Sequence, residues 1–171
     1  TPFGEGVLLF SDRGLVALGF IDANPETVFR AGEHTGRTED MAFQDLRDRY
    51  PNADIRRDDG AATKFAEKVF EPGASVPLAL YGTPFRRQVW RALLEIPTGQ
   101  TRTYGQLASQ IGKPAAARAT GTAVGANPIS WFIPCHRALA SDGRLHNYHW
   151  GVRRKRAMLA LEASFGEASS M

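Results

Sequence analysis

Residues 101–128, TRTYGQLASQIGKPAAARATGTAVGANP, decide how the second half of this chain reads. Thr103 stands where a helix N-cap belongs, Gly112 where that helix should end, and Pro114 opens a second helix that runs to Asn127-Pro128. Two short helices around a glycine-containing turn form a helix-turn-helix pattern. The second of them, PAAARATGTAVGA, is built almost wholly of small residues and carries one long charged side chain, Arg118. Such a helix either approaches another body closely or packs tightly on its own core, and this feature alone leaves both readings open.

Working outward, TPFRRQVWRALLEIP (83–97) has a Thr cap, a Pro in its first turn, and Phe85, Val89, Leu93 and Ile96 stepping along one face. The C-terminal VRRKRAMLALEASF (152–165) predicts a basic helix with arginines on one side and Met158, Leu161 and Phe165 on the other. Residues 7–21 predict two apolar strands joined by Asp12-Arg13-Gly14. A polar irregular stretch follows over 24–40. The next helix sets Met41, Phe43, Leu46 and Tyr50 on one face and stops at Pro51. A second helix has Phe65, Val69 and Phe70 inward and Pro72-Gly73 as its stop, and VPLALYG (76–82) reads as a strand. The expected fold class is therefore α+β, with an α+β unit over 1–80 and a mostly helical domain over 81–171.

The 171 residues, 43% hydrophobic and 23% charged, are those of a globular protein with one or two small cores. No apolar run approaches the roughly 18 to 20 residues of a membrane span. The start carries no signal-peptide pattern and no initiator Met, so a processed chain or a fragment of a longer one is expected. Charge is lopsided. Residues 1–80 hold nine Lys/Arg and fourteen Asp/Glu, whereas 81–171 hold twelve and four, a balance of +8. A basic half either carries scattered surface charge or faces a polyanion.

The one cysteine, Cys135, lies in WFIPCHRALASDG (131–143). A single thiol makes no intrachain disulfide, which fits a reducing, cytoplasmic setting. It also excludes zinc fingers and iron–sulfur clusters, and His34, His136, His146 and His149 lack metal-ligand spacing, so no metal and no cofactor are expected. A thiol attacks as thiolate and needs a base, and His136 is adjacent. Neighbours in an extended strand point to opposite faces, so a bridging water would have to carry the proton. The imidazole needs an orienting acceptor, and Glu162 stands out as a carboxylate on the apolar side of the last helix. The residues thus nominate Cys135–His136–Glu162, against the alternative of a buried structural cysteine.

IPCHR, followed by DGRLHNYHWGVRRKRAMLALE and preceded by the quoted helix pair, closely resembles the methylated-DNA–protein-cysteine methyltransferases (O6-alkylguanine-DNA alkyltransferases). The resemblance is dense over 83–163 and holds only in outline over the first 80 residues, where it implies a small ribonuclease-H-like domain. For the second domain it implies a winged-helix-like helix-turn-helix that binds double-stranded DNA containing O6-alkylguanine. Cys135 would accept the alkyl group from O6 of guanine, and from O4 of alkylthymine, irreversibly. His136 would act through water as the base, with Glu162 holding it. Tyr104 would donate to the flipped base, Arg118 would fill the vacated stack, and Asn127 would sit at the hinge.

The resemblance further implies DNA contacts from Ala116, Thr120, Gly121 and Arg137. It implies a pocket lined by Pro134, Ala138, Tyr148 and His149, with the carbonyls of Cys135 and Ala138 accepting from the guanine amino group. It also implies a monomer with no obligate protein partner, in the bacterial cytoplasm or nucleoid, that can form part of a longer regulatory polypeptide. Trp131-Phe132, Ala138-Leu139, His146-Asn147 and His149 depart from the family pattern and bear on pocket width. Competing readings are a non-catalytic alkylguanine sensor, a helix-turn-helix regulator and a Cys-His hydrolase; the cysteine motif disfavours the first two.

Overall fold

A computed structural model describes residues 1–22, 37–71, 73–145 and 148–168. Most of the expected irregular stretch, together with His34, Pro72 and His146-Asn147, lies outside the described residues. The chain divides into two compact units, one ending at Leu80 and the other beginning at Tyr81. Both mix or juxtapose helices with small sheets, so the class is α+β. No helix among the described residues is long and apolar enough to cross a membrane.

In the first unit, β1 (Gly6–Ser11) and β2 (Gly14–Phe20) pair antiparallel. Gly14 has φ of +116°, and a Cβ there would lie 2.2 Å from the Pro77 carbonyl oxygen, so only glycine fits. That close approach lets Leu15 N–H donate to Pro77 O (2.8 Å) and accept at its own carbonyl from Ala79 N–H (2.9 Å). The expected strand over 76–82 is thereby corrected to a single parallel bridge, Leu15 to Leu78. Pro77 has no N–H to extend a ladder. Helix α1 (Glu39–Arg47) is capped by Thr38, whose hydroxyl accepts from Met41 N–H. It buries Ala42 and Leu46, whereas Met41, expected inward, is 57% exposed. Helix α2 (Asp59–Val69) is capped by Asp58 and buries Val69.

The second unit begins with α3 (Pro84–Leu94), where the Thr83 hydroxyl accepts from Arg86 N–H and Val89, Trp90, Ala92 and Leu93 are buried. After β3 (Arg102–Thr103) comes α4 (Tyr104–Gln110), closed at its start by a full capping box between Thr103 and Gln106. Gly112 at φ +72° ends that helix, and a 3-10 turn at Pro114–Ala116 leads into α5 (Ala117–Gly125). The indole N–H of fully buried Trp90 donates to Ala123 O at 2.9 Å, tying α3 to α5 and satisfying its one polar atom. β4 (Ala138–Leu139) pairs parallel with β3, and α6 (Val152–Ala168) completes the unit. The inward face of α6 is Lys155, Met158 and Glu162; Phe165, expected inward, is 51% exposed.

Candidate functional site

Cys135 does not sit on a strand. Ile133 O accepts from Cys135 N–H at 2.7 Å around Pro134, whose φ of −77° and ψ of 62° are those of an inverse γ-turn. Proline suits this position because its ring already fixes φ near that value. Cys135–Arg137 then form one 3-10 turn, and β4 follows directly. At three residues per turn the side chains of Cys135, His136 and Arg137 diverge by about a third of a circle each.

Asn127, just beyond α5 and 2% exposed, donates from Nδ2 to Ile133 O (2.9 Å) and to Cys135 Sγ (3.1 Å), while its Oδ1 accepts from Ile129 N–H (3.0 Å). One amide therefore ties the end of α5 to the γ-turn and touches the thiol. Tyr148 Oη lies 3.8 Å from Sγ and donates to Met158 Sδ at 3.5 Å. Burial pushes the Cys135 thiol up from its ordinary range; the Asn127 and Tyr148 contacts and the charge of Lys155 pull the other way. Burial, and then the nearby cysteine, raise Tyr104 and hold Tyr148 well above the usual phenol range. The Tyr104 ring backs onto α5 at Gly121, where an added Cβ would meet it at 3.6 Å.

His136 is fully buried, with Nε2 2.8 Å from Glu162 Oε1. Its Nδ1 has no partner among the described residues. Burial lowers the imidazole, against the pull of Glu162, so it is neutral at pH 7. Burial alone would raise the Glu162 carboxyl, but hydrogen bonds from His136 and Arg137 override it and hold the group at about 2. His136 and Glu162 are thus paired, while Asn127, Tyr148 and Tyr104 gather around Cys135.

Two residues expected to contact DNA are drawn inward. Arg137 turns inward: Nε reaches both Glu162 oxygens (3.0 and 2.9 Å), Nη2 reaches Oε1 (2.7 Å) and Thr98 Oγ1 (3.1 Å), and Nη1 donates to Ile96 O. Four of its five N–H donors are so occupied, and the side chain is only 13% exposed. Thr120 is fully buried. Arg118 is exposed, and Ala116 and Gly121 are half-buried. Pro134 and Ala138 are buried, and His149 packs edge-on against Trp150 with centroids 4.7 Å apart.

Sequence reasoning missed Lys155. In the run VRRKR it looks like one more solvated cation, yet it is 1% exposed and donates from Nζ to Ala138 O at 2.7 Å. Burial lowers its pKa, against the nearby Cys135. A lone polar residue at the period of Met158 and Glu162 was the available signal. One lone pair of the Ala138 carbonyl is therefore already used. An open cleft of about 830 Å³ between α3 and the end of α4, lined in part by Arg87, Arg91 and Lys113, shares no residue with this cluster.

Residues 84–164 match the family described as 6-O-methylguanine DNA methyltransferase, DNA binding domain. A Mycobacterium bovis methylated-DNA–protein-cysteine methyltransferase is 55% identical over 89 residues, 52% of this chain and 54% of that one. The regulatory protein ada of Salmonella typhimurium is 42% identical over 137 residues, 75% of this chain and 38% of that one. The chain thus spans about half the length, or less, of these curated relatives. The crystal structure of Mycobacterium tuberculosis OGT in complex with DNA superposes with a TM-score of 0.63 at 36% identity, covering 96% of this chain and 89% of that one.

Proposed function

Since this chain belongs to the 6-O-methylguanine DNA methyltransferase family, we propose that it repairs O6-alkylguanine, and O4-alkylthymine, in double-stranded DNA by moving the alkyl group onto Cys135. The observation that carries the reading is the buried His136–Glu162 pair, 2.8 Å apart, with imidazole Nδ1 unpartnered among the described residues and the thiol of the preceding residue held by Asn127. A water between Nδ1 and Sγ takes the thiol proton. The Sγ–carbon bond forms as the carbon–O6 bond breaks, and the bonding pair passes into the guanine ring. Tyr104 donates to that ring as charge builds there, and the proton lost by the thiol ends on the restored guanine. The thioether has no leaving group for water to release, so each chain acts once.

The target atom lies inside the duplex stack, so the base must be turned out. Arg118, alone and exposed on a helix of small residues, fits the role of the side chain that fills the gap. In this reading α4 and α5 form the winged-helix-like helix-turn-helix, and exposed cations such as Arg86, Arg87, Arg91 and Lys113 meet phosphates. The hairpin, two helices and Leu78 bridge of the first unit are read as the small ribonuclease-H-like domain. No cofactor is required by this chemistry.

Mass spectrometry after incubation with O6-methylguanine DNA tests the proposal. One methyl group should appear on Cys135, at most one per chain, and Cys135→Ala should bind the DNA without gaining it. Absence of the adduct, or repeated turnover, overturns the reading.

A further inference from the structure

Trp131, expected to bear on pocket width, lies against His136. Its ring lies nearly parallel to that of His136, with an interplanar angle of 12° and centroids 5.4 Å apart. Among the described residues Trp131 is the one non-glycine with positive φ, at +69°. Phe132 N–H donates to Ser130 O at 2.9 Å across it, so Trp131 is the central residue of a γ-turn in its strained, positive-φ form. A bulky side chain does not adopt that backbone by preference. The turn also carries the chain from Asn127 and Ile129 toward Pro134, whose γ-turn delivers Cys135.

We infer that Trp131 is a positioning residue for His136: its indole covers one face of the imidazole, fixes the ring plane that joins Nε2 to Glu162, and keeps water from that face. The inference rests on the function proposed above, since the ring it positions is the base of that reaction. His136 has only two edges for hydrogen bonding. Glu162 fixes one nitrogen, but a single contact leaves the ring free to rock about it. A flat neighbour at stacking distance removes that freedom without consuming Nδ1. The charged groups that act on the imidazole are Arg137 on its own turn and Lys155 and Glu162 on α6. None of these is a flat apolar surface, and Trp131 supplies one. The half-buried indole is also the cover that a solvent molecule would otherwise replace.

The inference is tested by Trp131→Leu and Trp131→Phe, read by two measurements. In the NMR titration of His136, wild-type ring protons should be shifted upfield by the indole and should titrate below the ordinary histidine range. Trp131→Leu should lose the upfield shift and titrate higher by roughly half a pH unit or more, as water regains the uncovered face. Trp131→Phe should stay near wild type. In single-turnover transfer from a free O6-benzylguanine base, the acid limb of the rate profile should move by the same amount in Trp131→Leu and be rescued in Trp131→Phe. A uniform loss of rate with an unmoved profile would mean the indole only supports the fold, and would overturn the inference. So would ordinary shifts and titration for His136 in the wild-type chain, a measurement that survives even if Trp131→Leu does not fold. Failure of wild-type transfer alone would strike the proposed function, because the titration needs no transfer.

Discussion

The Arg137 guanidinium and the His136 imidazole share one oxygen of the Glu162 carboxylate, with Nη2 2.7 Å from the same Oε1 that meets imidazole Nε2 at 2.8 Å. One acid, 1% exposed, therefore serves two basic groups at once. The carboxylate stays ionised without help from solvent, and the histidine is oriented without having to be charged.

Removing one member of a buried pair leaves the other uncompensated, which costs about 3–5 kcal/mol when both are fully enclosed. Arg137 retains 13% exposure, so Arg137→Ala should lose somewhat less, about 2–3 kcal/mol, in denaturant unfolding. The salt dependence of DNA binding should be unchanged by this variant, because no phosphate contact is lost. A slope reduced by about one unit would restore Arg137 to the DNA interface.

Acid unfolding follows from the same carboxylate. Its folded pKa of about 2 lies below the ordinary value of 4.5, so the native state is favoured above 4.5 and loses that advantage as pH falls toward 2. The lowered imidazole acts in the same direction from 6.5 downward, because the unfolded chain takes up that proton first. Unfolding midpoints measured from pH 7 to pH 2 should fall continuously in the wild type. Glu162→Gln should start lower and lose the segment between 4.5 and 2. An acid limb identical in both proteins would refute the assignment.

The elements that were legible in sequence are those with local chemical markers. Thr83, Thr103, Gly112 and Asp12-Arg13-Gly14 mark caps and turns that need no distant partner, and each falls where its residue type predicts. The pairing of His136 with Glu162 was legible because a carboxylate on an apolar helix face needs a reason. What was not legible depends on contacts between distant segments. β3 and β4 are two residues each, too short to show a period, and they are neighbours only in the fold. Arg137 and Lys155 are basic residues in basic runs, and nothing local says that one turns to Glu162 and the other to Ala138 O. Trp131 takes a backbone that its residue type argues against.

Lys155 should act on the thiol by charge rather than by contact. Lys155→Met removes a buried cation and leaves the Ala138 carbonyl short of one donor, costs of opposite sign that should leave stability within about 1 kcal/mol of wild type. Alkylation of Cys135 by iodoacetamide should slow roughly three- to tenfold at neutral pH, with its pH midpoint moved upward. An unchanged profile would show that the charge does not reach the sulfur.

Arg118 is exposed on α5, while its carbonyl accepts from Thr122 Oγ1 at 3.2 Å, so the side chain is not needed for the helix. Arg118→Ala should leave unfolding unchanged and slow transfer from duplex DNA roughly tenfold or more, since a few kcal/mol of unstacking goes uncompensated. Reaction with free O6-benzylguanine should be unaffected; equal losses on both substrates would remove the finger role.

Lys155 and Glu162 are seven residues apart on α6, two helical turns or about 10 Å along its axis. The first fastens Ala138 and the second fastens His136 and Arg137. The helix is in effect a jig that sets the reactive turn to length. Residues added or removed in the exposed turn at 141–144 leave that gauge untouched, whereas one residue inserted between 155 and 162 would swing an anchor by about 100°. Length variation should therefore be tolerated in the loop and forbidden in the helix.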